Sequence, residues 1–112
     1  MTGTIRLPAL LAGLWRDLAF APFRDGVTIH RLYAVEGGAS AALLRYAPGA
    51  SVPLHEHVGH EHVLVLDGSQ DDEAGRLEAG DAAVNLPGSR HSVRSATGCV
   101  ALLVWERPVR FL

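Results

Sequence analysis

Cysteine occurs once in this sequence of 112 residues and lysine not at all. A lone thiol, Cys99, forms neither an internal disulfide nor a cysteine-based zinc site, so the cysteine usage gives no sign of an oxidising compartment. It sits in the apolar run Gly98–Val104, where free cysteine behaves as a small buried hydrophobe; a nucleophilic role is the lesser reading. All ten basic residues are arginine, which reads as a coding bias and carries no functional argument. Those arginines are scattered and the formal net charge is -2, so no basic face tracks a phosphate backbone and nucleic acid is excluded as a partner. Also lacking is any run of the ~18 apolar residues that a membrane span requires. There is no phosphate loop, since Glu36-Gly37-Gly38 is a turn signal alone, and no Ser/His/Asp order suited to a nucleophilic triad.

The N-terminal stretch Leu7–Trp15 is apolar, and Ala19-Phe20-Ala21 faintly resembles a signal-peptide cleavage site. Pro8 inside the run, Arg16 and Asp17 directly after it, and a single positive flank at Arg6 argue against export. A short helix within residues 8–18, with Pro8 at its first position, is expected instead, in a cytoplasmic protein.

What the chain has is apolar content and turns. Hydrophobic residues make up 48%, with six prolines and twelve glycines, as suits a globular protein and not a disordered one. The length accommodates a single core, hence one domain. From residue 27 onward, short β-branched or apolar runs alternate with Gly, Pro and Asp, the mark of an all-β sandwich or barrel. The expected strands are 27–35, 41–46, 51–57, 61–66, 76–77, 81–86, 91–94 and 99–105. Between them, Ala47-Pro48-Gly49, Val58-Gly59, Asp67-Gly68, Ala79-Gly80, Pro87-Gly88 and Thr97-Gly98 supply turn chemistry. The polar stretch Gln70–Gly75 reads as an exposed hairpin tip. Residues 1–26 are a lead-in segment and 27–112 the barrel.

Chemistry concentrates in residues 49–68. His55 and His57 are two apart, and on a strand such residues project from one face, so both imidazoles aim at one point. Glu61 follows after a turn containing Gly59, which returns its carboxylate beside them. His91 is distant in sequence, but in a closed barrel its strand comes to lie across from the first pair. Three imidazoles and a carboxylate suit first-row metals, and one divalent ion per chain is expected: zinc or iron first, with manganese, nickel or copper as alternatives.

The spacing Gly49, five residues, His55, one, His57, three, Glu61, six, Gly68 resembles the first cupin motif without a departure. Gly80, Gly88 and His91 resemble the second, although Pro87 lies one position late and Ser95 stands where asparagine is common. Arg45-Tyr46-Ala47-Pro48-Gly49-Ala50 and Asn85-Leu86-Pro87-Gly88-Ser89-Arg90-His91-Ser92 narrow the resemblance to ChrR-type cupins. That group includes the C-terminal domain of zinc-binding anti-sigma factors and some stand-alone dioxygenases. The resemblance implies a double-stranded β-helix, a jelly-roll barrel, with metal bound by His55, His57, Glu61 and His91. The anti-sigma factors use a separate N-terminal helical domain with its own His and Cys zinc ligands; the residues for that domain are not in this sequence, and anti-sigma activity is not carried over.

Other residues have blander readings. His60 and His62 flank Glu61, and strand alternation sends them outward if Glu61 points in; their replacing Glu61 as ligand is the main risk. Glu56, between two ligands, points outward, so Glu56 and Glu61 are no general acid/base pair. Asn85 is read as capping its turn, with a donor or substrate contact as the alternative. Tyr33, Arg45, Tyr46 and His30 are candidate pocket residues whose face depends on register, since a slip of one residue reverses it.

Two functions follow. One is a metal-dependent enzyme acting on a small organic molecule, with a dioxygenase as the expected activity; the other is a non-catalytic zinc-binding sensor or regulatory module. A homodimer is expected, because small barrels expose edge strands and the apolar termini 5–15 and 109–112 are suited to exchange.

Overall fold

The computed structural model describes residues 3–112. Ten strands follow one another along the chain: β1 (Ala21–Arg24), β2 (Val27–Ala34), β3 (Ser40–Tyr46), β4 (Ser51–Glu56), β5 (Glu61–Asp72), β6 (Gly75–Glu78), β7 (Ala82–Asn85), β8 (Arg90–Arg94), β9 (Cys99–Trp105) and β10 (Arg110–Phe111). They form one curled antiparallel sheet in the order β1-β2-β3-β9-β5-β8-β4-β10, with β6 and β7 both paired to β5. No helix among the described residues is long and apolar enough to cross a membrane.

The curl depends on β5. Its first half pairs with β7 and β9, while its second half pairs with β6 and meets β8 at Asp71–Arg94. One strand therefore belongs to both halves of the barrel. Between them the register with β9 slips by one residue at Leu66, a bulge that bends the strand and raises its twist. Asp67-Gly68 is thus no turn: Gly68 lies inside β5 with φ +73, where a Cβ would stand 2.1 Å from the Gly98 carbonyl oxygen. The polar stretch expected as a hairpin tip is likewise mostly strand, and only Glu73 and Ala74 remain in the turn. Gln70 is buried, because the strand continues across the barrel instead of ending at Gly68.

Alternation sorts the side chains into two cores. Inside the barrel lie Val27, Ile29, Ala42, Leu44, Tyr46, Val52, Val63, Val65, Val93, Cys99, Ala101 and Leu103. The opposite face of β3, β5 and β9 presents Leu43, Leu66 and Val100 to Trp15, with Leu7, Leu10, Leu18 and Phe20 around them. Both faces of β9 are covered, which explains why Cys99–Trp105 reads as a continuous apolar run.

Residues 8–18 make turns and one turn of 3₁₀ helix, Leu14–Asp17, so the short helix expected there is confined to the end of that range and does not begin at Pro8. Positive φ at Ala9 and Gly13 interrupts helical geometry, and docking on the sheet takes its place. Trp15 is 4% exposed, with the Arg16 and Arg45 guanidinium groups 4.4 and 5.1 Å from its ring. Trp15→Ala should destabilise the chain by about 3 kcal/mol in urea denaturation. Metal content should be unchanged, because the indole sits on the outer face of the sheet. The C-terminal strand β10 pairs with β4 of the same chain. Both apolar termini pack within the chain, the C-terminal one on β4 and the N-terminal one on the outer face of the sheet.

Candidate metal centre

His55 is on β4, His91 is its direct cross-strand partner on β8, and His57 follows β4 immediately. Between Val52 and His55 the register with β8 shifts by one residue around Pro53-Leu54. That bulge lets Val52 and His55, three apart, both face inward, which simple alternation forbids. The ring centroids of His55, His57 and His91 are 4.6 to 5.2 Å apart, arranged edge to face. One ligand nitrogen from each falls within 4.8 Å of the other two.

The tautomers follow from what surrounds the rings. His55 Nδ1–H donates to the Pro53 carbonyl at 2.8 Å. His57 Nδ1–H donates to Ser89 Oγ at 2.9 Å, and the Ser89 hydroxyl proton is already committed to the Leu86 carbonyl. His91 Nδ1–H donates to the Asp72 carboxylate at 2.8 Å. All three Nε2 lone pairs therefore face the centre. Those of His57 and His91 are buried with no hydrogen-bond partner. Unpaired buried polar atoms are costly, and a cation at their meeting point satisfies both at once. The residues present thus fit a divalent metal ion, and a His₃ cluster in such a site is a feature of metal-binding proteins.

Glu61 enters from β5, with one carboxylate oxygen 3.4 Å from His57 Nε2. Its cross-strand neighbours are Asn85 on β7 and Trp105 on β9, and each donates to it: Asn85 Nδ2 to Oε1 at 2.9 Å, Trp105 Nε1 to Oε2 at 2.5 Å. Burial works to raise the Glu61 pKa, but the neighbouring His57 ring and the Trp105 indole outweigh it and hold the carboxyl below its usual range. Asn85 thus partners the carboxylate instead of capping its turn. The roles of Trp105, Asp72 and Ser89 had no signal in the sequence. Trp105 stood in an apolar run, and Asp72 in a stretch that reads as solvated loop.

The remaining candidates divide by face. His60 and His62 point away from the centre, with His60 hydrogen bonded to Glu106. Glu56 also faces outward, paired with Arg90 and Arg110. Tyr33 is exposed, Arg45 lies over Trp15, and His30 bonds the Ala19 carbonyl. Tyr46 alone of that group faces in. With Gln70, it lines a cavity of about 50 Å³ beside His55, Glu61 and His91. Burial pushes the Tyr46 hydroxyl pKa well up, aided by the Cys99 thiol and the Glu61 carboxylate.

Residues 12–110 match the model of the ChrR cupin-like domain. The chain belongs to that family. Over 100 residues it is 37% identical to the anti-sigma-E factor ChrR of Cereibacter sphaeroides, covering 87% of this chain but 44% of that protein. In the crystal structure of Rhodobacter sphaeroides SigE in complex with the anti-sigma ChrR, the match has TM-score 0.72 and 31% identity, over 81% of this chain and 50% of that one. An acetylacetone dioxygenase from Acinetobacter johnsonii matches over 100% of this chain and 78% of its own, with TM-score 0.80 at 15% identity, a likeness of fold alone. The cupin domain therefore spans about half the length of its curated relative.

Burial, followed by the nearby His91 and His57 rings, lowers the His55 pKa from 6.5 despite the opposing Pro53 carbonyl and Glu61 carboxylate. A histidine harder to protonate when folded leaves the unfolded chain binding more protons at mildly acid pH. Metal-free protein should hold its His55 contribution above about pH 6.5 and lose it as pH falls further toward the folded value. Urea midpoints from pH 7.5 to 5 check this, and a His55→Gln variant should flatten that part of the curve.

Proposed function

We propose that this cupin works through one divalent ion, zinc or iron, held by the Nε2 atoms of His55, His57 and His91 together with Glu61. A small organic molecule binds beside the ion as substrate or ligand. The observation that carries this reading is the pair of buried, unpartnered Nε2 atoms on His57 and His91. When bound, such an ion supplies a Lewis acid that polarises a coordinated oxygen. The chain's own part is to keep three neutral imidazoles oriented, to hold one carboxylate between two donors and to keep bulk water out with an apolar wall.

In the enzymatic reading the reaction is a dioxygenation at iron. Elemental analysis of protein purified without added metal tests it, together with oxygen uptake after anaerobic Fe(II) reconstitution in the presence of diketones or hydroxylated aromatics. Near-stoichiometric iron with substrate-dependent uptake supports the enzyme. The narrow cavity favours a second reading, in which zinc closes the site and the domain regulates a partner protein, as the name of its curated relative suggests. Tight zinc without uptake supports that one, and protein that takes up no metal under any condition overturns both.

We place the protein in the cytoplasm as a homodimer of 11.9 kDa chains; a monomer mass by light scattering would overturn the dimer. Because the Asp72 carboxylate orients His91 and strengthens it as a donor, Asp72→Asn should weaken metal affinity about 10- to 100-fold in chelator competition while leaving the fold intact.

A further inference from the structure

The curled sheet does not close on itself. β1 and β10 are the two ends of the strand order, and no ladder joins them among the described residues. Side chains alone seal this seam: the Arg24 guanidinium lies 4.2 Å from the centre of the Phe111 ring, and Phe111 in turn lies 5.5 Å from the ring of His55. Outside the seam is a groove of about 310 Å³ walled by Phe23, Ile29, Val35, Trp105, Val109 and Phe111. Phe23, Trp105, Val109 and Phe111 also line the metal cavity, so the two spaces adjoin and share four side chains.

Three features distinguish this groove from an ordinary apolar patch. Its volume reaches the lower end of small-molecule pockets, about 300 Å³. It exposes Phe23, Val35 and Phe111 together, at 38%, 61% and 43%. Its wall also holds one cation, Arg31, whose guanidinium is 5.9 Å from the Phe23 ring and forms no ion pair among the described residues. A concave apolar wall with one free positive charge is complementary to an apolar molecule carrying one negative charge.

We infer that the groove binds a small apolar monoanion of the medium-chain carboxylate class, its head group paired with Arg31 and its chain lying on Phe23 and Phe111 over the metal cavity. This deepens the metal reading and rests on it for the chemistry, though not for the binding itself. Because Trp105 touches both the groove and Glu61, a bound chain also contacts the residue that positions the carboxylate.

Octanoate is the probe, with 1-octanol as its uncharged counterpart, titrated by calorimetry into the full chain with and without metal. The expected result is saturable binding of both at one site per chain. Arg31→Gln should weaken octanoate about threefold or more and leave octanol unchanged, as an exposed charge pair predicts. Phe111→Ala should weaken both. No saturable binding, or equal octanoate affinity in Arg31→Gln, overturns the inference. So does a dimer mass that Val35→Glu abolishes, since a second copy of the chain would then fill the groove. Metal content measured on the same samples separates the two claims. Octanoate binding without metal uptake removes only the metal reading, whereas metal uptake without octanoate binding removes only this one.

Discussion

His57→Ala protein, purified beside the parent and dialysed against a mild chelator, should retain less than about a tenth of the parent's metal. The side chain is 1% exposed, its Nδ1–H is fixed by Ser89, and its Nε2 has no other partner. Removing it takes one of three converging donors from a buried site, and no neighbouring group stands ready to replace it. The control is His60→Ala. That histidine is close in sequence but exposed and bonded to Glu106, so its loss should leave metal content at the parental level. Equal metal in both variants would remove the proposed centre. Parental metal in His57→Ala combined with loss in His60→Ala would mean that the ligand set had been misread around Glu61.

Gly68→Ala should be the most destabilising single methyl group in the chain, at about 3 kcal/mol or on the order of 12 °C in Tm. Two costs combine there. The backbone has φ +73, a left-handed conformation that costs an L-residue about 1–2 kcal/mol. The added Cβ would also fall 2.1 Å from the Gly98 carbonyl oxygen and 3.0 Å from Cys99 Cα, atoms of the paired backbone that have no room to retreat. Gly88→Ala separates the two effects. Its φ is +88 but nothing lies within 4 Å of the new Cβ, so only the conformational part, about 1–2 kcal/mol, should appear. Equal losses in the two variants, measured by thermal melting, would show that the β5–β9 crossing is looser than its geometry requires.

Those two glycines show where the sequence was legible and where it was not. Composition and turn residues located most of the strands, and the local rules of alternation and turns brought His55, His57 and Glu61 together, while His91 was reached through the expected barrel and the resemblance to the second cupin motif. Long-range pairing was hidden. Asp67-Gly68 has the chemistry of a turn, yet here the glycine serves a close backbone approach, and only the partner strand distinguishes the two. The same concealment covered Asp72, which lies in a polar stretch without apolar periodicity that reads as an exposed tip; its partner is His91, nineteen residues on. Trp105 and Asn85 were obscured differently. Each becomes a donor to Glu61 only through the β9–β5–β7 register, which no single-strand pattern encodes. The bulge at Pro53-Leu54 left the histidine pair untouched but turned Val52 inward, where simple alternation would place Pro53.

β5 begins at Glu61 and ends at Asp72, so the centre is gripped from the two ends of one strand: directly at the first residue, and through His91 at the last. A strand pinned at both ends cannot slide in register by a single residue without releasing both at once. If the proposed ion binds, opening either half of the barrel would disturb one end of this twelve-residue strand and with it a contact to the centre. Removal of that ion would then be felt at both ends of β5 at once.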